Sequence, residues 1–327
     1  MRFGIVGTNF VSEMFLKGAQ DVPEVEAFGV TSGHYENAVA FGKKHNISHI
    51  YQNLDEMLVD DRIDVVYLGT PNAMHYAMTK QCILAKKNVM TEKPFCVTRK
   101  EAEELYSLAE EKHVYVHDAI VPLYTAHYKA VKDALGRIGT IRHVSFDFSK
   151  YSSRYDAYRA GENPTTFRKE LCNGAFMDLG IYCIADIVGL FGKPKEILAH
   201  SVKLDTGVDG ASYALFAYDG FDAMVSVSKI TDGRNISTIE GEEGTIFIEQ
   251  PGVIQKAWLV DRKSKETTVL TDDYANQFGD QLRDLVKNAA EEKKESEKVP
   301  HALSLDVIET LEQTRRAAGI VYEGRDC

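Results

Sequence analysis

Chemistry in this chain is first suggested by Lys93, in Glu92-Lys93-Pro94, one residue after the apolar run Asn88-Val89-Met90 that reads as the end of a strand. Open α/β sheets bind ligands at the carboxyl ends of their strands. A lysine there supplies a cation whose protonation responds readily to burial and neighbours. Taken alone, a Lys-Pro pair fits an exposed turn equally well, because lysines are mostly exposed. The first predicted strand runs into Gly7-Thr8-Asn9-Phe10-Val11-Ser12. A dinucleotide fingerprint asks for glycine at positions 7, 9 and 12, and only Gly7 is present. Asn9 tolerates left-handed backbone angles, so it is expected to preserve the turn. Ser12 is small enough for close helix–strand packing. Phosphate would then lie at the helix N-terminus, against Gly7, Thr8, Asn9, Phe10 and Val11.

Two further strand ends carry polar residues. The second strand ends Val30-Thr31-Ser32-Gly33-His34, without the acidic residue that holds a ribose in NAD sites. Ser32, the amides around Gly33, and His34 would instead accept a 2′-phosphate, which favours NADP over NAD. Gly69-Thr70-Pro71-Asn72 forms an extended turn. Asn72 there suits a helix N-cap, and His75 suits either a packing or a cleft position.

The elements that must position these residues alternate in the first third of the chain. Strands are expected at Arg2-Val6, Val25-Val30, Asp64-Leu68, Asn88-Met90 and Val114-Val116. Helices are expected over Phe10–Ala19, Asn37–Lys44, Leu54–Asp60, Ala73–Lys86 and Thr98–Glu111, with Thr98 as N-cap and Glu101 at the capping-box position. This βαβ alternation predicts a doubly wound parallel sheet with helices on both faces. After about residue 120 the pattern changes to longer alternating strands: Ile141–Ser149, Glu196–Lys203, Ala211–Tyr218, Ala223–Ile230, Asn235–Gly241 and Thr245–Glu249. Asp219-Gly220 and Glu243-Gly244 serve as hairpin turns, one helix lies near Phe176–Leu190, and two more close the chain. Two domains are expected: residues 1–119, nucleotide-binding, and residues 120–327, an α+β domain with a large, mostly antiparallel open sheet. One face of that sheet lacks helices to cover it, so a homodimer or higher homo-oligomer formed through it is expected.

The net charge of −11 disfavours a nucleic-acid or anionic-membrane surface. Five scattered cysteines, Cys82, Cys96, Cys172, Cys183 and Cys327, suit a reducing compartment, and none has the spacing of a metal site. With no signal-like segment and no apolar run long enough to span a bilayer, a cytoplasmic protein is expected.

Gly7, Thr70-Pro71-Asn72 with His75, Glu92-Lys93-Pro94, and Asn173-Gly174-Ala175-Phe176-Met177-Asp178-Leu179-Gly180-Ile181-Tyr182 occur in an order that resembles the Gfo/Idh/MocA oxidoreductases (glucose-fructose oxidoreductase, inositol dehydrogenase and rhizopine catabolism). The Asp-x-Gly-x-Tyr form looks most like the branch holding glucose-fructose oxidoreductase and dimeric dihydrodiol dehydrogenase. The resemblance spans nearly the whole chain, including Glu240-Gly241-Glu242-Glu243-Gly244-Thr245. It implies a Rossmann domain, a second α+β domain, an active site between them, and hydride exchange between NAD(P) and a carbon bearing oxygen. Carried over, Lys93 is the active-site lysine, with Asp178 and Tyr182 as its partners.

The chemistry agrees with those roles. An alkoxide formed by hydride transfer must be protonated, and the reverse reaction needs a base. A lysine cation favours the phenolate form of tyrosine, so Tyr182 is the expected proton carrier and Lys93 the charge that tunes it. Asp178, four residues earlier on the same helical face, would orient Lys93 or bind a substrate hydroxyl. Thr70, Pro71, Asn72, His75, Glu92, Lys93 and Asp118 are expected at the cofactor, and Arg168 and Tyr124 near the substrate. Two of the three fingerprint glycines are missing, and Val121-Pro122-Leu123-Tyr124 departs from the Arg-Phe-x-Pro of many relatives. The expected substrate is a sugar, polyol, cyclic diol or related compound. The alternatives are a catalytically silent NAD(P)-binding regulator and a redox-neutral enzyme with tightly held cofactor.

Overall fold

A computed structural model describes residues 1–273 and 276–325 of the chain; Cys327 lies outside them. The chain forms two compact units. The first comprises residues 1–96, 100–119 and 276–304, and the second residues 97–99, 120–275 and 305–327. A single boundary at 119/120 is therefore not the whole division, because residues 276–304 return to the first unit.

The first unit is built on a six-stranded sheet: β1 (Arg2–Val6), β2 (Glu26–Thr31), β3 (His49–Ile50), β4 (Val65–Leu68), β5 (Asn88–Glu92) and β6 (Val116–Ala119), in the order β3-β2-β1-β4-β5-β6. Every neighbouring pair is parallel. The strands read as short apolar runs because both faces are covered: Phe3, Ile5, Val30, Val65, Val66 and Tyr67 are all buried. The helix Phe10–Ala19 packs Phe15 onto Tyr67, with ring centroids 4.3 Å apart. The returning helix Gln277–Ala290 adds Leu282 and Leu285 to this core. It approaches the first helix so closely that a Cβ on Gly18 would lie 2.8 Å from Phe278 Cβ. Strand order reverses between β1 and β4, the topological position at which such sheets open a crevice.

The second unit is built on an eight-stranded sheet: β7 (Ile141–Ser149), β8 (Glu196–Lys203), β9 (Asp209–Ala217), β10 (Asp222–Ser228), β11 (Ile236–Gly241), β12 (Gly244–Glu249), β13 (Lys256–Asp261) and β14 (Thr267–Val269), in the order β14-β13-β12-β11-β7-β10-β9-β8. β7 and β10 run parallel and the other pairs antiparallel. Both expected hairpin turns are present, and Gly220 takes a φ of +86°. Sequence patterning missed β13 and β14: the first alternates poorly around Trp258, and the second is three exposed residues on an edge.

One face of this sheet carries Val144, Phe146, Val225, Val227, Ile239, Ile246 and Ile248, all buried. The helix Ile181–Phe191 packs onto β7 and β10. Contrary to expectation, residues 169–191 form a helical stretch long and apolar enough to cross a bilayer, but 67% of its most apolar window is buried inside the unit. It is a core helix of this fold.

Candidate functional site

The first unit gathers its sequence-predicted residues along the carboxyl ends of β1, β2, β4 and β5. Gly7 adopts a φ of +102°, and a Cβ there would lie 2.3 Å from the Gly69 carbonyl oxygen, so the β1 and β4 turns approach as only glycine allows. Asn9 does not take the expected left-handed conformation. At φ −91° it is the extended N-cap of the first helix, and its Oδ1 accepts from the backbone N–H groups of Val11 (3.2 Å) and Ser12 (3.4 Å). Its amide donates to the Gly69 carbonyl at 2.9 Å, and Ser12 Oγ donates to the Gly7 carbonyl at 2.9 Å. Asn9 and Ser12 thus hold the turn by side-chain bonds where glycines would hold it by close backbone approach.

Thr8 and Ser32 hydroxyls lie 3.4 Å apart, linking the ends of β1 and β2. Gly33 and His34 are exposed beside them, and a Cβ on Gly33 would meet nothing within 4 Å. Phe10 is 72% exposed at the start of the first helix. The residues present fit a dinucleotide: a glycine-only crossing, a helix N-terminus behind it, and an open hydroxyl-bearing edge at β2. The fit has one tension, because Asn9 already occupies two of the helix N–H groups that would receive phosphate.

His75 is fully buried. Its Nδ1 lies 2.8 Å from the Pro94 carbonyl oxygen and its Nε2 2.8 Å from the Thr70 carbonyl oxygen. Burial, the largest effect, pushes its pKa down, and a neutral ring donates to only one of these carbonyls at a time. The ring expected at the cofactor is therefore a clasp between the Thr70-Pro71 turn and the Lys93-Pro94 turn. Asn72 is likewise buried, whereas Pro71 is exposed.

Lys93 is partly exposed between buried Glu92 and Pro94. Beneath it, Tyr67 Oη lies 2.8 Å from Glu92 Oε1, and Glu92 Oε2 accepts from the Lys93 backbone N–H at 3.3 Å. Burial raises the Glu92 pKa against the pull of Lys93 and these bonds. Asp118, expected at the nicotinamide, is enclosed: Tyr106 Oη donates to Ser304 Oγ, and Ser304 Oγ donates to Asp118 Oδ2, each at 2.7 Å. Burial, with the nearby Glu92 carboxylate, pushes Asp118 up to about 7 despite the Ser304 hydrogen bond. Glu92 and Asp118 are thus both buried, at the ends of β5 and β6. Sequence reading missed Tyr67, Tyr106 and Ser304, whose only signal was a polar tip within apolar runs or a helix start.

In the second unit the motif segment begins with Gly174 at φ +155°, where a Cβ would collide with Asp209 Oδ1. Asp209, fully buried on β9, accepts from the Phe176 N–H at 2.9 Å and from Ser212 Oγ at 2.7 Å. It caps the segment from a distant strand, which local patterning could not reveal. Phe176–Gly180 then forms a π-turn leading into the α-helix Ile181–Phe191; such turns often mark functional positions. Between Gly174 and Val188 only Asp178, Leu179 and Tyr182 are not buried. The Tyr182 ring centroid lies 5.8 Å from that of Phe148. Asp178 forms an ion pair with Lys229, which sequence reading did not single out. Arg168 donates to the Asn163 carbonyl at 2.9 Å and so holds its own loop. Tyr124 is 1% exposed, a core ring where a substrate contact was expected.

Comparison with known proteins agrees over nearly the whole chain. Residues 1–119 match the profile described as "Oxidoreductase family, NAD-binding Rossmann fold", and residues 128–247 match the GFO/IDH/MocA C-terminal domain. The chain is 35% identical over 322 residues to scyllo-inositol 2-dehydrogenase (NADP(+)) of Bacillus subtilis (strain 168), covering 98% of each. It is 28% identical over 338 residues to trans-1,2-dihydrobenzene-1,2-diol dehydrogenase of Danio rerio, again covering 98% of each. Among solved structures, a 3-ketoreductase from Actinomadura kijaniata in complex with NADP and TDP-benzene superposes with a TM-score of 0.87 at 19% identity, over 97% of each chain. At that identity the likeness speaks for the fold.

Proposed function

The chain belongs to the Gfo/Idh/MocA family of NAD(P)-dependent oxidoreductases acting on CH–OH groups, and from that premise we propose that it is an NADP-preferring dehydrogenase or reductase of a polyol, cyclic diol or related sugar. The observation that carries this reading is the pairing of chemistry with exposure on one otherwise buried helical segment. Asp178 and Tyr182 are the only polar side chains between Gly174 and Val188 that are not buried, and burial of most of their neighbours is how a fold fixes such groups. The scyllo-inositol and dihydrodiol relatives supply the substrate class. Preference for NADP rests on Thr8, Ser32, Gly33 and His34, a donor-rich edge without the acidic residue that holds a ribose in NAD sites.

In this reading Gly7, Thr8, Asn9, Phe10 and Val11 receive the pyrophosphate, and the Thr70-Pro71-Asn72 turn lines the path toward the nicotinamide. Bound there, the dinucleotide supplies hydride-transfer chemistry. Tyr182 gives a proton to, or takes one from, the substrate oxygen. Lys93 polarises the same oxygen and favours the phenolate. Asp178 accepts a hydrogen bond from a substrate hydroxyl. Glu92, Asp118 and His75 hold the strand ends that present Lys93.

The uncovered face of the second sheet carries a row Leu198–Leu215–Met224–Ser145–Thr238–Phe247–Trp258–Val269 along the strand register. Leu198, Leu215, Met224 and Val269 are exposed, and a second copy of the chain is the proposed cover. A monomeric sedimentation coefficient at micromolar concentration would count against it. Cys82, Cys96, Cys172 and Cys183 are buried free thiols, which suits the cytoplasm as the proposed compartment.

The test is fluorescence titration with NADPH and NADH, followed by turnover on scyllo-inositol and trans-1,2-dihydrodiols. Tighter NADPH binding and measurable turnover are expected. Cofactor binding with no turnover on any polyol or diol would overturn the enzymatic assignment of Tyr182 and Lys93.

A further inference from the structure

Lys229 follows β10 directly, and its side chain is only 6% exposed. A buried ammonium is costly unless it is paired and hydrogen-bonded. Here its partner is the carboxylate of Asp178, itself mostly buried. The same Nζ lies 3.5 Å from the Thr166 carbonyl oxygen and 5.4 Å from the Phe167 ring centroid, over its face. Phe167 is the inner ring of an aromatic group. Tyr155 and Tyr158 pack against it at 5.6 and 5.3 Å, and Tyr151 meets Tyr155 edge-on at 5.4 Å. The tyrosines are partly exposed. The backbone of Lys229 is itself fixed: its N–H donates to the Gly210 carbonyl at 2.8 Å, and its carbonyl accepts from the Ser152 N–H at 2.8 Å. One immobilised cation therefore joins three things: the carboxylate of the motif helix, the 165–167 turn, and the aromatic segment 151–167.

We propose that Lys229 is a positioning residue of the substrate half-site, setting the direction of the Asp178 carboxylate and locking it to the aromatic wall for recognition of a polyhydroxylated ring. A carboxylate that accepts from a ring hydroxyl, beside aromatic faces that pack on the ring's C–H surface, is the chemistry that distinguishes a cyclic polyol from a simple ketone or aldehyde. Lys229 acts through Asp178 and needs no contact with the reacting atoms. The inference rests on the reading that Asp178 and Tyr182 face the substrate.

The experiment compares Lys229→Met, Lys229→Arg, Asp178→Asn and the Lys229→Met/Asp178→Asn double variant, with Tyr182→Phe alongside. Each is assayed for kcat and KM on scyllo-inositol with NADP⁺ and for NADPH affinity by fluorescence. Lys229→Met should lower kcat/KM by roughly 10–100-fold, mostly through KM, with NADPH affinity changed less than about twofold. Lys229→Arg, which keeps the cation, should recover most of that loss. The double variant should be no worse than Asp178→Asn alone, because the two side chains act as one unit. Wild-type kcat and KM in Lys229→Met, or additive losses in the double variant, would overturn the proposal. Should Lys229→Met fail to fold, Lys229→Gln replaces it, and equal activity of the Gln and Arg variants would overturn the proposal in the same way. A Tyr182→Phe variant that retains turnover would instead sink the site reading itself. An inactive Tyr182→Phe with normal Lys229→Met kinetics would remove only the role given to Lys229.

Discussion

Asp118→Asn should stabilise the first unit at alkaline pH and leave it unchanged in mild acid. The carboxyl is buried, lies near the Glu92 carboxylate, and accepts a hydrogen bond from Ser304, a balance that holds it at about 7. An unfolded aspartate titrates near 3.9. Between those values the folded form keeps a proton that the unfolded form has lost, so stability falls as pH rises through this window. The sign is that of a raised acid: the contribution is most favourable below about pH 4 and fully lost above about pH 7. Three pH units at ~1.4 kcal/mol each set an upper bound of about 4 kcal/mol. Relaxation around the site and sharing of charge with Glu92 reduce this to roughly 2–3 kcal/mol. Asparagine carries no charge and keeps a carbonyl to accept from Ser304. In urea or thermal unfolding from pH 4.5 to 8.5, the two proteins should coincide at the acid end. The variant should unfold roughly 4–10 °C higher at the alkaline end. A gap independent of pH, or a wild type more stable at pH 8.5, would refute the placement of a protonated carboxyl at this strand end.

Tyr182→Phe and Lys93→Ala should each lower turnover by about 10²–10⁴-fold with NADPH affinity largely kept, as read by steady-state kinetics and fluorescence titration. Gly7→Ala forces a side chain onto a +102° backbone and toward the Gly69 carbonyl; it should cost about 1–3 kcal/mol of stability and weaken NADPH binding more than tenfold. Asn9→Ala removes the cap of the first helix and the tie to Gly69, with an expected loss of about 1 kcal/mol in thermal unfolding. Asp186 is 1% exposed, neither of its oxygens has a hydrogen-bond partner among the described residues, and burial raises its pKa well above the ordinary value. Asp186→Leu should therefore raise stability at pH 7 by about 1–3 kcal/mol, and a drop in the unfolding midpoint would show that the carboxyl is needed.

Much of the candidate site was readable from the sequence because its signals are local. Gly7 after β1, the Thr70-Pro71 turn and Glu92-Lys93-Pro94 are short stretches in which strand, turn and chemistry lie within a few residues. The position of Lys93 follows from the strand before it. The functions of the residues around it did not follow. Asn9 looked like a substitute glycine and is a cap. His75 and Asp118 looked like ligand contacts and are enclosed by hydrogen bonds to Pro94, Thr70 and Ser304. Strand β14 escaped because it is three exposed residues on an edge, and β13 because Ala257-Trp258-Leu259-Val260 is an unbroken apolar run without polar alternation.

By itself, then, the sequence determined the α/β and α+β fold classes, the glycine-dependent first turn, and the choice of Lys93, Asp178 and Tyr182 as candidates, since each depends on residue type and spacing over one strand end or one helical turn. Only the tertiary structure decided that residues 276–304 complete the first unit, that Asp209 caps the motif segment from 33 residues away in sequence, and that Asp178 is held by Lys229 across 51 residues. Those pairings are made by the register of strands and the folding back of loops. A buried charge takes whichever partner the packing brings within reach, and no local pattern records that choice.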